Sequence, residues 1–223
     1  STSIIMSEDR NVSASFTINS YQLRISSGEG GIVLGEGKFT HNSQAIIAAI
    51  TFDGYFFEKW IGEEVANESQ DFTTVLMNED KNISAIFGIN QYDLVISSDA
   101  GGLVEGDGQY SHNSYATISA TALAGHKFSG WAGEGVTDPN SPVTEVRMNK
   151  NQTISASFEL QSYQVVISAE SGGTVNGSGF YPYGSSIPIL AIPRSGYSFD
   201  QWKGANVENL LGHSTNVLVD ADL

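Results

Sequence analysis

The chain repeats itself at a fixed interval of 71 residues, and that interval constrains the fold more than any other feature. Trp60, Trp131 and Trp202 are separated by this step, as are Tyr21, Tyr92 and Tyr163. It also links Phe57, Phe128 and Phe199, and Gly54, Gly125 and Gly196. No insertion or deletion breaks the register from Met6 onward, and 30 of the 71 positions are identical between residues 21–91 and 92–162. A period of 71 exceeds the roughly 20–50 residues of solenoid and propeller repeats, so each copy is expected to be a small domain in a tandem array. A residue type that the unit needs recurs in each copy. What recurs is apolar residues, glycine and some serine, the pattern of a fold being kept.

The register divides the chain into four parts. Residues 1–20 match the last strands of an upstream unit, with an orphan last strand over 10–17. Residues 21–91 and 92–162 are full repeats. Residues 163–223 are a third repeat that lacks its last strand. The chain opens partway through a unit, which reads as a fragment of a longer protein. The inter-repeat linkers are expected over Gly88–Gln91 and Glu159–Ser162, about four residues each.

Within a unit the pattern is that of β-strands. Tyr21, Leu23 and Ile25 alternate with polar residues, as do their counterparts Tyr92, Leu94, Ile96 and Tyr163, Val165, Ile167, the period of a half-buried strand. Gly30-Gly31 and its copies suggest a hairpin turn, because glycine enters positive φ freely. One segment then runs through Val33, Gly35 and Gly37 to Phe39. A third strand centres on Ile47, Ile118 and Ile189, followed by Gly-x-x-Phe-x-x-Trp-x-Gly and a variable polar loop. The last two strands hold Val75 and Met77, then Ile83, Ala85 and Phe87, separated by a turn over Asn78–Lys81. No window of ten residues has helical periodicity. An all-β or mainly β fold follows.

The ordered motifs Tyr-x-Leu-x-Ile, Gly-Gly-x-Val, Gly-x-Gly-x-Tyr, Gly-x-x-Phe-x-x-Trp-x-Gly, Val-x-Met and Ile-x-Ala-x-Phe resemble the divergent InlB B-repeat, or bacterial surface repeat domain. Tyr181-Pro182-Tyr183-Gly184 and Gly196-Tyr197-Ser198-Phe199-Asp200-Gln201-Trp202 carry a close form of its middle motif. The resemblance implies a tandem array of β-grasp-like modules at the cell surface of a bacterium or in its extracellular space. Such a segment serves as spacer, stalk or adhesive region, and the family has no general catalytic set. Asn42 and Asn113 stand where the third copy has Gly184, and Asn tolerates the left-handed conformation required there.

Composition narrows the function classes. Lys and Arg number 10 against 25 Asp and Glu, a formal charge of −15. Nucleic acid needs clustered Lys and Arg, so it is disfavoured as a partner, as is an anionic membrane surface. Absence of cysteine removes disulfides, a thiol nucleophile and a Cys-based zinc site. No apolar run is long enough for a spanning helix.

Trp60, Trp131 and Trp202 are the ligand-binding candidates, because an indole face stacks on a sugar ring. Their fixed place after a phenylalanine and between glycines also suits a core anchor. The non-repeated aromatics Phe56, Tyr115 and Phe180 are surface candidates, and the loops 63–71, 134–142 and 205–213 vary within a constant frame. His41 and His112 share a position that the third copy gives to Tyr183, against a required metal or acid–base role. Glu63 and Glu134 become Ala205 and Asp107 becomes Ser178, so no carboxylate pair recurs of the kind glycosidases use. Calcium is the cation that loops around Asp107 and Asp138-Pro139-Asn140 would suit. The Gly-x-Gly turns join strands and lack the helix N-terminus that a phosphate loop needs. No enzyme activity is expected. The expected partners are neighbouring repeats, a glycan or host surface, and a second copy joined head to tail through the orphan strand. Three units in line, each with a radius of gyration near 11 Å, would project roughly 80–90 Å.

Overall fold

The computed structural model describes residues 4–5 and 7–221 and contains no helix among them. Residues 1–3, 6 and 222–223 of the repeat bounds above lie outside the described residues. The chain forms two compact units, Ser1–Asn90 and Gln91–Leu223.

The first unit carries seven strands: β1 (Ser20–Ser27), β2 (Gly31–Leu34), β3 (Gly37–Thr40), β4 (Ser43–Thr51), β5 (Tyr55–Ile61), β6 (Phe72–Met77) and β7 (Lys81–Ile89). They make a four-stranded sheet in the order β3-β1-β7-β5 and a three-stranded sheet in the order β2-β4-β6. The first and last strands of the repeat lie side by side and parallel, with Leu23 opposite Lys81 and Ile25 opposite Ile83. All other pairings in the repeat are antiparallel. Alternation sends Leu23, Ile83 and Ala85 from one sheet and Ala45, Ile47, Val75 and Met77 from the other into a single core closed by Trp60.

Two sequence signals that look like local turns mark places where the chain changes layer. Gly30-Gly31 does not make a hairpin, because β1 pairs with β3 and β7 whereas β2 pairs with β4. The segment from Val33 to Phe39 is two strands in different sheets, divided at Gly35. Gly35 has φ +115°, and a Cβ there would collide with the Ile46 carbonyl. Gly106 and Gly177 adopt the same conformation, at +113° and +122°. Only glycine lets the backbone cross from one layer to the other this close to β4.

The Phe-x-x-Trp spacing has its own geometric cause. On β7, Phe87 and Ala85 are two residues apart, yet their partners on β5, Phe57 and Trp60, are three apart. The register shifts between Phe57 and Lys59, so Glu58 is the extra residue of a β-bulge. Without it a spacing of three would put Phe57 and Trp60 on opposite faces. With it both rings meet in the core, their centroids 5.4 Å apart.

The second unit begins with the same seven strands: β8 (Gln91–Ser98), β9 (Gly102–Glu105), β10 (Gly108–Ser111), β11 (Ser114–Ala122), β12 (His126–Ala132), β13 (Val143–Met148) and β14 (Gln152–Leu160), in the orders β10-β8-β14-β12 and β13-β11-β9. The third repeat follows as β15 (Ser162–Val165), β16 (Gly173–Asn176), β17 (Gly179–Pro182), β18 (Ser186–Pro193) and β19 (Ser214–Leu218). Its three-stranded sheet is complete, in the order β16-β18-β19. Its other sheet is reduced to the pair β15-β17. Asn42, Asn113 and Gly184 all take left-handed conformations, with φ of 65°, 62° and 78°.

Two boundary expectations change. The strand placed at 10–17 does not form: residues 7–19 belong to no strand and are exposed. In the full repeats the corresponding strand sits between two neighbours of its own repeat, and residues 10–17 pair with no strand among the described residues. The linkers are also shorter than four residues. β14 ends at Leu160 and β15 starts at Ser162, leaving Gln161 alone between them.

The crossover glycine provides a test against a neutral neighbour. Gly35→Ala is expected to destabilise the first unit by about 1–3 kcal/mol, read from its urea unfolding midpoint. Gly28→Ala, whose added Cβ meets nothing within 4 Å, is expected to leave that midpoint unchanged.

Candidate functional site

The tryptophans occupy equivalent places in three separate cores. Trp60 is fully buried, and Trp131 and Trp202 are 6% and 8% exposed. Each sits beside the phenylalanine three residues before it, at 5.4, 5.5 and 5.3 Å between ring centroids. Burial leaves no indole face for a sugar ring, so these residues are corrected from ligand-binding candidates to core anchors.

Their polar edges hold the variable loops. The indole N–H of Trp60 donates to the Gln70 carbonyl at 2.8 Å, that of Trp131 to Ser141 at 2.9 Å, and that of Trp202 to Gly212 at 2.8 Å. The backbone N–H of each tryptophan donates to the carbonyl two residues earlier in the loop, Glu68, Pro139 or Leu210, at 2.8 Å. At the loop's tip Asn67, Asp138 and Asn209 each accept from the N–H two residues on. Their own N–H groups donate to Thr73, Thr144 and Thr215. An isolated bridge, Val65–Val75, Val136–Val146 or Val207–Val217, closes each loop at its base. The loops therefore vary in side chain on a constant backbone frame.

A family model described as the divergent InlB B-repeat domain matches residues 21–91, 92–162 and 163–221. The chain belongs to that family. Two proteins of Evansella cellulosilytica (strain ATCC 21833 / DSM 2522 / FERM P-1141 / JCM 9156 / N-4) are similar to it. One, named "Putative membrane protein", is 26% identical over 160 residues, covering 67% of this chain and 23% of its own length. The other, named "Putative Gly-rich membrane protein", is 27% identical over 153 residues, covering 67% of this chain and 17% of its own length. This chain thus spans less than a quarter of either relative. Among solved structures, the Bacillus anthracis TIE protein aligns at 8% identity with a TM-score of 0.41, over 92% of this chain and 49% of that one. No helix among the described residues is long and apolar enough to cross a membrane.

The remaining side chains of these B-repeats are placed as follows. His41 packs edge-on against Tyr21 and His112 against Tyr92, and Tyr183 stands by Tyr163 in the third copy. That position is thus an aromatic contact that either ring type satisfies. Phe56, Tyr115 and Phe180 are exposed, as expected, but stand one to a repeat. Asp138 is occupied in capping its own turn, and no group of three or more His, Asp or Glu side chains converges among the described residues.

Two charged residues have structural roles that the repeat pattern does not announce. Lys81 is 4% exposed, its ammonium reaching Glu79 at 2.9 Å and Glu63 at 3.8 Å. Gln152 takes the same buried place in the second repeat, so the position calls for a long side chain rather than a charge. Asp99 accepts the Phe158 N–H at 2.9 Å and the Gly101 N–H at 3.0 Å. These bonds, that to Phe158 foremost, hold its carboxyl below the usual aspartate value, and His126 lowers it further. Its counterpart in the first repeat is Gly28, so no repeated signal marks it.

Two measurements follow. Trp60→Phe is expected to cost about 1–3 kcal/mol in unfolding free energy, because the Gln70 carbonyl loses its donor. Since the folded-state pKa of Asp99 is depressed, its stabilisation is present above the usual aspartate range and is lost as pH falls through the folded value. Unfolding midpoints of the wild type should therefore fall more steeply below about pH 4 than those of Asp99→Asn.

Proposed function

We propose that the chain is a non-catalytic spacer segment of an exported bacterial surface protein, holding other parts of that protein away from the cell. The observation that carries this reading is the joint between the second and third repeats. A single residue, Gln161, connects them. Its N–H donates to the Gly125 carbonyl at 2.7 Å, and its carbonyl accepts from the Tyr183 N–H at 2.9 Å. Tyr183 lies directly over Gly125, so closely that a Cβ there would overlap its ring. A one-residue connection bonded on both sides has little hinge freedom, which is what a spacer requires. Membership in the B-repeat family and relatives named as membrane proteins support a place at the cell surface.

Adhesion is the second reading, and one surface favours it. The outward face of the β2-β4-β6 sheet exposes Ile32, Leu34, Ile46, Ile50 and Phe72 together, Ile32 opposite Ile50 and Phe72 opposite Ala48. Exposed apolar clusters of this kind mark contact surfaces. The same positions in the second repeat are Leu103, Glu105, Thr117, Thr121 and Val143. Recognition of a glycan through Phe56, Tyr115, Phe180 and the variable loops has less support, because each repeat exposes only one of those aromatics.

The spacer reading predicts that chains of one, two and three repeats grow in maximum dimension by equal steps of roughly 25–30 Å in small-angle scattering. Compact scaling would overturn it. Tyr183→Ala should broaden the distance distribution between spin labels on the second and third repeats, with each repeat still folded. A specific hit on a polysaccharide and host-glycan panel, with calcium present or chelated, would favour recognition instead.

A further inference from the structure

A carboxylate held by backbone N–H groups in the second repeat has no counterpart in the first. Asp99 stands just past the end of β8, one oxygen accepting the Phe158 N–H at 2.9 Å and the other the Gly101 N–H at 3.0 Å. One period earlier the residue is Gly28, which has no side chain, while the residues that carry the donors remain, as Phe87 and Gly30. The first repeat is the exception at this position, since the third carries Glu170 there.

The ladder itself leaves the Phe87 N–H open. The Asn90 N–H donates to the Gly54 carbonyl at 2.8 Å, and Phe57 opposes Phe87 three pairs further along. Bonded and non-bonded pairs alternate in an antiparallel ladder, so the Phe87 N–H points away from β5. On its other side β1 pairs with β7 only as far as Ser27 opposite Ala85. Phe87 lies beyond that point, on the part of β7 that runs on to Ile89. The surroundings of the two donors match as well. A Cβ at Gly30 would meet the Tyr55 ring at 2.5 Å and the Phe87 Cβ at 2.9 Å, and one at Gly101 would meet the His126 ring at 2.7 Å and the Phe158 Cβ at 2.6 Å.

Where Asp99 carries its side chain, the first repeat has room. Nothing lies within 4 Å of where a Gly28 Cβ would stand. A cleft of about 460 Å³ opens there, lined by Gly28, Glu29, Tyr55, Ile86, Phe87 and Ile89. Phe87 is half-buried, and a shielded N–H without an acceptor is costly. The second repeat displays the group that satisfies it.

We infer that the first repeat binds a carboxylate in this cleft, seated as Asp99 is in the second repeat, with one oxygen on the Phe87 N–H and the other on the Gly30 N–H. The ligand is a monocarboxylate bearing an apolar group. Ile86, Ile89 and the Tyr55 ring receive the apolar part, and the Glu29 carboxylate repels a second negative charge. The C-terminal residue of a peptide and a free aliphatic acid share this chemistry. The site lies wholly within the complete first repeat, and it stands independently of the spacer reading, since neither needs the other.

The test follows the amide signals of the isotope-labelled chain by NMR. The probes are sodium isovalerate, a short N-acetylated peptide ending in leucine with a free carboxylate, and the same peptide as its C-terminal amide. Sodium chloride at matched ionic strength is the blank. The Phe87 amide is expected to shift downfield with a Kd on the order of millimolar for either carboxylate, as two charge-assisted bonds imply. The Phe158 amide should stay, because Asp99 occupies its site, and the amidated peptide should move neither. Gly28→Asp supplies the carboxylate from within and is expected to weaken binding by about tenfold or more. Gly28→Ala, which leaves the donors free, should bind as the wild type does, and Glu29→Gln should bind more tightly. Equal affinity for isovalerate and peptide assigns the site to small acids, and a peptide about tenfold tighter assigns it to chain termini. A Phe87 amide that moves no more than that of Phe158 overturns the inference. So does a Gly28→Asp chain that binds as well as the wild type.

Discussion

The seventh strand of each repeat is the element on which the rest depends. It is the last part of the repeat in sequence and an inner strand of the four-stranded sheet, hydrogen-bonded to the first strand on one side and the fifth on the other. The described residues of the third repeat, 163–221, stop short of the positions of that strand. The repeat's first strand shortens from eight residues to four, and the stretch 197–203, which matches β5, belongs to no strand. The three-stranded layer and the tryptophan anchor are bonded to the variable loop and to each other.

Much of this was legible in the residues. Period-two alternation around Leu23, Ile47 and Ile83 marks strands because a half-buried strand has no other way to hide alternate side chains. The recurrence of glycine and aromatic residues in register showed three copies of one fold. Sheet membership was not legible. Gly30 and Gly35 carry the same signal as hairpin glycines, since positive φ reports a sharp change of direction and not which sheet the chain enters next. The strand at 10–17 failed for a related reason. Its sequence has the pattern of a strand, but a strand is made by its neighbours, and residues 10–17 pair with none among the described residues.

The tryptophans show how a site can be misread from type and spacing alone. Stacking candidate and core anchor ask for the same residue. The bulge at Glu58 decides between them, and it is visible only when the spacing of three is set against the spacing of two on the partner strand. Once the indole is inside, its N–H must find an acceptor, and a loop carbonyl ten residues on supplies it in every copy. The variable loop can then change its side chains freely, since its path is held by carbonyls and threonines.

The parallel pairing of the repeat's first and last strands also sets a clock. Leu23 and Lys81 are opposite each other in the sheet but far apart along the chain. During synthesis at about 5–20 residues per second, β1 waits roughly 3–12 s for the strand that completes its sheet. Closure is the slow, non-local kind, gated by the arrival of the repeat's final residues rather than by any hairpin. Each repeat in a growing array therefore spends those seconds with an open strand edge while the next one is being made.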